Sequence, residues 1–166
     1  MTRFLIWVTC LAFSSPMLGQ TALWNSTSPL SRLKLNFGYG YRIHPLTGKE
    51  KFHAGIDLAA RSDTVLAVMD GVVTQTGYHP LLGLYIRINH GGGLESLFGH
   101  LSQLWVVTGE TLSAGSPIGL TGSTGQVTGE HLHFAVKFNN RFINPLLFLK
   151  IILRRSCFNP THADHE

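Results

Sequence analysis

The stretch Glu130-His131-Leu132-His133-Phe134 sets two imidazoles on alternate positions of an apolar run. On an extended strand, positions two apart share one face. His131 and His133 then stand side by side, and Leu132 turns the other way. Two neighbouring imidazoles on one face suggest a metal-binding or acid–base arrangement before a packing one. A second group lies upstream, His53-Ala54-Gly55-Ile56-Asp57, with a histidine and a carboxylate four apart. A helix would bring that pair to one face, but Gly55 and the strand-like surroundings favour an extended segment or loop. Two imidazoles and a carboxylate are the ligand set of a catalytic zinc site that keeps one position for water. His100, in Leu97-Phe98-Gly99-His100-Leu101-Ser102, follows a strand and can join them.

Cysteine plays no part in this set. Cys10 lies in an N-terminal apolar run, and Cys157 is the only other one. A metal must therefore be held by histidine and carboxylate.

The elements that must position these groups are strands. Of 166 residues, 44% are hydrophobic, enough for one domain with its own core. Eighteen glycines fall mostly between short apolar runs, which favours turns and strands. The runs in 64–77, 84–93, 104–125 and 131–145 alternate or break at glycine. Asp70-Gly71 divides the first into two short apolar runs, Asn139-Asn140 reads as a hairpin turn, and Pro145 closes the series. Only the chain ends have helical character. The expected fold is all-β, a compact antiparallel barrel or sandwich.

The chain divides accordingly. Residues 1–19 have the layout of a secretory signal peptide: Arg3, an apolar run from Phe4 to Phe13, then small and turn-forming residues. The run is too short for a bilayer, which takes about 20 residues, so no membrane span is expected after its removal. Export to a periplasm or beyond follows. Residues 20–35 read as a polar linker, 36–149 as the domain and 150–166 as a tail. The formal charge of +4 is scattered, with no basic run that suggests nucleic acid. A mildly basic surface suits an anionic polymer such as a cell wall.

The segments 36–60, 99–102 and 121–136 resemble the signatures of the lysostaphin-like zinc metallopeptidases, which cut peptide bonds in bacterial peptidoglycan. The resemblance spans about Asn36 to Leu149 and rests on the order and spacing of HxxxD, the lone histidine before Leu-Ser, and HxH. It implies an antiparallel fold of the duplicated hybrid motif type, with zinc in a groove across the central sheet. By the same resemblance, His53, Asp57 and His133 are the zinc ligands. His131 and His100 are then catalytic groups facing the groove, with the division of labour between them open. His44 matches a loop beside the groove. Arg42 either contacts a substrate carboxylate there or, as preferred here, pairs at the surface. A monomer acting on peptidoglycan peptides is expected.

Three positions depart from the family pattern: Ala135 where an acid is usual, Phe98 where tyrosine is usual, and Asp63 where glycine is usual. Loss of the acid is expected to loosen support of the histidines. The alternative function is a non-catalytic wall-binding or regulatory domain that activates other hydrolases, whose members typically lack the ligands present here. A lipoyl- or biotin-carrier-like barrel is excluded, since no lysine sits on the hairpin it needs. His90 reads as structural, His79 as solvated, and His162 and His165 as part of the tail.

Overall fold

A computed structural model describes residues 25–43 and 48–156. The expected signal peptide lies outside the described residues, as do His44, Cys157, His162 and His165. The first strands are β1 (Leu35–Phe37), β2 (Gly40–Ile43), β3 (Glu50–His53), β4 (Ile56–Ala59), β5 (Thr64–Leu66) and β6 (Gly71–His79). Then come β7 (Gly83–Asn89), β8 (Leu94–Leu104), β9 (Thr111–Leu112), β10 (Pro117–Thr121), β11 (His131–Phe138) and β12 (Arg141–Ile143). Helix α1 (Pro145–Ser156) follows.

The main sheet runs β1-β4-β11-β8-β7-β6-β9, with β10 bridging β8 to β5 and β12 added to β11. Its pairings are antiparallel, as expected for this all-β sequence. Strands β2 and β3 form a separate two-stranded arm. Asp70-Gly71 does divide β5 from β6, but these two do not pair: β5 pairs with β10, and β6 with β7 and β9. Asn139 and Asn140 join β11 to β12, with φ of 47° and 62°. Positive φ at both positions is the requirement of the tightest hairpin turn, and asparagine tolerates it.

Alternation sorts the two faces of the central strands. Ile56 and Leu58 of β4, and Leu132, Phe134 and Val136 of β11, point into the core and are fully buried. Each such side chain stabilises the fold by about 1.5–3 kcal/mol. Asp57, His131 and His133 occupy the intervening positions and so face away from that core. The core therefore dictates where the site's side chains point.

Two boundaries differ from the sequence reading. Residues 25–35 are not a free linker, because Leu30 is buried in the core. Thr27 N–H donates to Val68 O, and Leu66 N–H donates to Pro29 O. At the other end, helix α1 crosses the boundary expected after Leu149. Pro145 opens this helix rather than simply ending a strand, since its missing N–H is not needed in the first turn. Asn144 caps it, its Oδ1 accepting from Leu146 N–H at 3.0 Å. Phe148, Leu149 and Ile152 then join the core, so the first residues read as tail are part of the domain.

Candidate metal centre

Antiparallel pairing sets His133 of β11 directly opposite Asp57 of β4 on one side and Gly99 of β8 on the other. Directly opposed residues on one face have Cβ atoms about 5 Å apart, which lets their side chains meet. His53 reaches the same point from the end of β3. Three atoms converge: His133 Nδ1 to Asp57 Oδ1 is 2.9 Å, His53 Nε2 to Asp57 Oδ1 is 3.1 Å, and His53 Nε2 to His133 Nδ1 is 3.1 Å. Donor atoms at about 2.0–2.2 Å around a tetrahedral zinc stand about 3.3–3.6 Å apart. The triangle is a few tenths of an ångström tighter, and its N, N, O set suits zinc. Among the described residues it is the group that could hold a metal ion.

Asp57 is almost wholly buried, and burial by itself would push its carboxyl up. Hydrogen bonds and charges from His133 and His53 outweigh that and hold the carboxyl far below the usual carboxylate range. His133 is pushed down by its own burial against the pull of Asp57, which favours the neutral imidazole a metal needs.

Two more imidazoles flank the triangle. His131 Nε2 stands 3.6 Å from Asp57 Oδ1, and the His100 ring lies 4.7 Å from that of His131, centre to centre. Three of the four imidazoles are oriented alike. The Nδ1–H of His53 donates to Gly38 O at 2.8 Å, that of His131 to Gly129 O at 2.8 Å, and that of His100 to Thr124 O at 2.9 Å. A carbonyl can only accept, so Nδ1 carries the proton in each and Nε2 offers a lone pair. These three supports are backbone carbonyls, and none comes from a side chain at position 135. Ala135 is buried opposite Leu97, and Phe98 turns into the core with its ring 5.3 Å from Phe134. Phe98 is thus a core residue rather than part of the groove. At Asp63, N–H donates to Thr121 Oγ1 and the carbonyl accepts from Thr121 N–H, which anchors β10.

His100 reaches the site by a break in β8. Leu101 pairs with Leu84 and Phe98 with Ile86, so Gly99 and His100 together oppose Tyr85. This bulge puts His100 at φ 62°, a conformation that costs a non-glycine residue about 1–3 kcal/mol. Surrounding bonds hold it there: His100 N–H donates to Leu82 O at 2.7 Å, and its ring is fixed by Thr124. Thr124 Oγ1 in turn accepts from Leu84 N–H and donates to Leu101 O. Burial pushes the His100 imidazole down to about 4, against the bond to Thr124, so it is neutral at rest.

The five residues line a groove of about 360 Å³ together with residues of the β2–β3 arm and residues 126–130. Arg42 is not a lone surface pair as preferred from the sequence. Its Nη2 lies 3.3 Å from Asp57 Oδ2, on the metal triangle itself. Lys51, Gly55, Gly99 and Thr124 belong to the site's surroundings and were missed in the sequence. Gly55 alone carried a signal, as a glycine between two candidate ligands. His90 lies elsewhere, bonded to Asp70 O and Ser96 Oγ.

The chain is similar to known proteins in sequence and in fold. The chain is 39% identical over 119 residues to the DD-carboxypeptidase/endopeptidase Mpg of Neisseria meningitidis, covering 71% of this chain and 27% of that protein. It is 41% identical over 106 residues to the peptidoglycan DD-endopeptidase ShyA of Vibrio cholerae, covering 63% and 25%. The matched region thus spans about a quarter of the length of these relatives. A zinc-containing peptidase from Vibrio cholerae superposes with a TM-score of 0.68 at 31% identity, over 73% of this chain and 39% of that one. The catalytic domain of lysostaphin from Staphylococcus simulans gives 0.65 at 30%, over 71% and 92%. The model of peptidase family M23 matches residues 51–145, from the arm that supplies His53 to the start of α1. The chain belongs to peptidase family M23.

Proposed function

We propose that the protein is a zinc metalloendopeptidase that hydrolyses peptide bonds in peptidoglycan cross-links, acting outside the cytoplasmic membrane where that substrate lies. The observation that carries this reading is the convergence of His53 Nε2, Asp57 Oδ1 and His133 Nδ1 beside two imidazoles whose Nε2 lone pairs are free to accept. His53, Asp57 and His133 hold zinc. When bound, zinc supplies Lewis acidity to the attacking water and the scissile carbonyl.

His131, beside the donor triangle, accepts the proton of the attacking water at Nε2. His100 sits deeper, and its cation is disfavoured by burial. It takes that proton at Nε2 from His131, whose ring lies 4.7 Å away centre to centre, and as the less stable cation it is the readier donor to the departing amine. Its fixed Nδ1–H to Thr124 keeps Nε2 directed at the groove through both steps. The groove is open, which suits an extended peptide. No helix among the described residues is long and apolar enough to cross a membrane.

Metal analysis of the purified full chain, combined with digestion of isolated peptidoglycan, tests the reading. About one zinc per chain and release of un-cross-linked peptides are expected. Stoichiometric zinc with no cleavage of any peptidoglycan would overturn it in favour of a wall-binding or regulatory domain.

A further inference from the structure

Helix α1 has two unlike faces. Phe148, Leu149 and Ile152 are buried in the core, while Leu146, Leu147, Lys150, Ile151 and Arg154 are exposed. At about 100° per residue, the five exposed positions fall within about 140° of arc, opposite the buried three. Three of the five are large apolar side chains, with Leu147 59% and Ile151 58% exposed. The outer face of a globular helix is normally polar, and an apolar one marks a surface that something covers. The other two exposed residues are cations. No Asp or Glu occurs between Glu130 and Asp164, whereas Lys137, Arg141, Lys150, Arg154 and Arg155 all do.

Whatever covers this face must take up apolar side chains and cations together. A second copy would set Lys150 and Arg154 against their own counterparts, since a two-fold contact places one patch on itself. An anionic wall polymer would pair the cations and leave Leu147 and Ile151 in water. A membrane surface carrying anionic lipids meets both needs, its acyl chains receiving the apolar side chains and its headgroups the cations. Two further relationships agree with that occupant. Ser26 Oγ donates to Ile152 O at 3.0 Å, so the chain that follows the apolar run in 4–13 joins the domain beside α1. Helix α1 also lies on the core side of β11, toward which Leu132, Phe134 and Val136 point, whereas His131 and His133 line the groove. We infer that the exposed face of α1 docks on the surface of an anionic phospholipid membrane, with the groove turned away from the lipid.

Vesicle sedimentation with the exported protein tests this, comparing about one part phosphatidylglycerol in two of phosphatidylcholine with phosphatidylcholine alone. The protein should sediment with the anionic vesicles and stay in solution with the neutral ones. Raising salt to about 0.5 M should weaken the binding. Leu147→Ser with Ile151→Ser should lower the partition coefficient about tenfold or more, and so should Lys150→Glu with Arg154→Glu. Both pairs lie on the outer face of the helix, so urea midpoints should stay native. Failure to bind anionic vesicles would overturn the docking surface. Binding that survives the loss of Leu147 and Ile151 would overturn it in favour of an anionic polymer held by charge alone. Self-association that disappears in that same variant, with no vesicle binding by the native protein, would make the occupant a second copy. No peptidoglycan enters the experiment, so the peptidase reading stands or falls separately.

Discussion

A Cβ built on Gly55 would lie 2.7 Å from Cε1 and 2.8 Å from Nε2 of His133, and 2.6 Å from the carbonyl oxygen of Phe134. Contacts that short require something to move, and the nearest thing is a candidate metal ligand. Gly55 therefore does more than break a helix: it leaves the space in which the His133 ring sits. Gly55→Ala should displace that ring or part β4 from β11, weakening zinc binding at least tenfold and destabilising the fold by about 1–3 kcal/mol. Competition with a chromogenic chelator reads the first effect. Native zinc affinity in this variant would show that the ring has room elsewhere.

Arg42 orients the same carboxylate from the other side. With Nη2 on Asp57 Oδ2, it leaves Oδ1 to the imidazoles. Arg42→Gln should lower zinc affinity by about 10-fold to 100-fold, the usual cost of removing a partner that orients a ligand, while unfolding stays cooperative. Unchanged zinc affinity would reduce Arg42 to a groove-wall residue.

Replacing the imidazoles should separate two classes. His133→Ala removes a ligand and should remove zinc. His131→Ala and His100→Ala should keep about one zinc per chain and lose about 10²–10⁴ in turnover. Metal content by mass spectrometry beside steady-state rates distinguishes them. Zinc lost from His131→Ala and kept in His133→Ala would reverse the assignment.

Acid should weaken the metal-free protein. The His100 imidazole is pushed from 6.5 down to about 4 by burial, so between those values the unfolded chain binds the more protons. Stability then rises with pH across that window, and it is lost as pH falls from about 6.5 toward 4. His133, also pushed down by burial, acts in the same sense. Asp57, held below its ordinary 3.8, adds a further loss on falling through that value. Urea midpoints at pH 7.5 and 5 in chelator-treated protein should differ, and His100→Gln should narrow the gap. An unaltered gap would assign the acid sensitivity to other groups.

Helix α1 should count in the stability of the domain. Ile152 is buried, and its carbonyl accepts from Ser26 Oγ at 3.0 Å, so the helix ties the first described residues to the sheet. Ile152→Ala should cost about 2 kcal/mol in urea unfolding. A change within error would mark the helix as peripheral.

What the sequence determined by itself was chemical identity and local period. HxH on an alternating run put His131 and His133 on one face, because side-chain direction along a strand depends only on position parity. The antiparallel all-β class, the Asn139-Asn140 turn and the signature segments were legible for the same reason: each is written in a few adjacent residues. Tertiary structure decided which of those groups meet. Asp57 faces His133 only because β4 pairs with β11 in that register, and across a separation of 76 positions nothing encodes it locally. His100 enters the groove through a bulge at positive φ, against the alternation of its own strand. Arg42 reaches Asp57 because the β2–β3 arm folds over the site, where its sequence neighbourhood suggested a surface pair. Leu30 and Ile152 look like linker and tail in sequence, since an apolar side chain outside an alternating run signals nothing until a core stands ready to cover it.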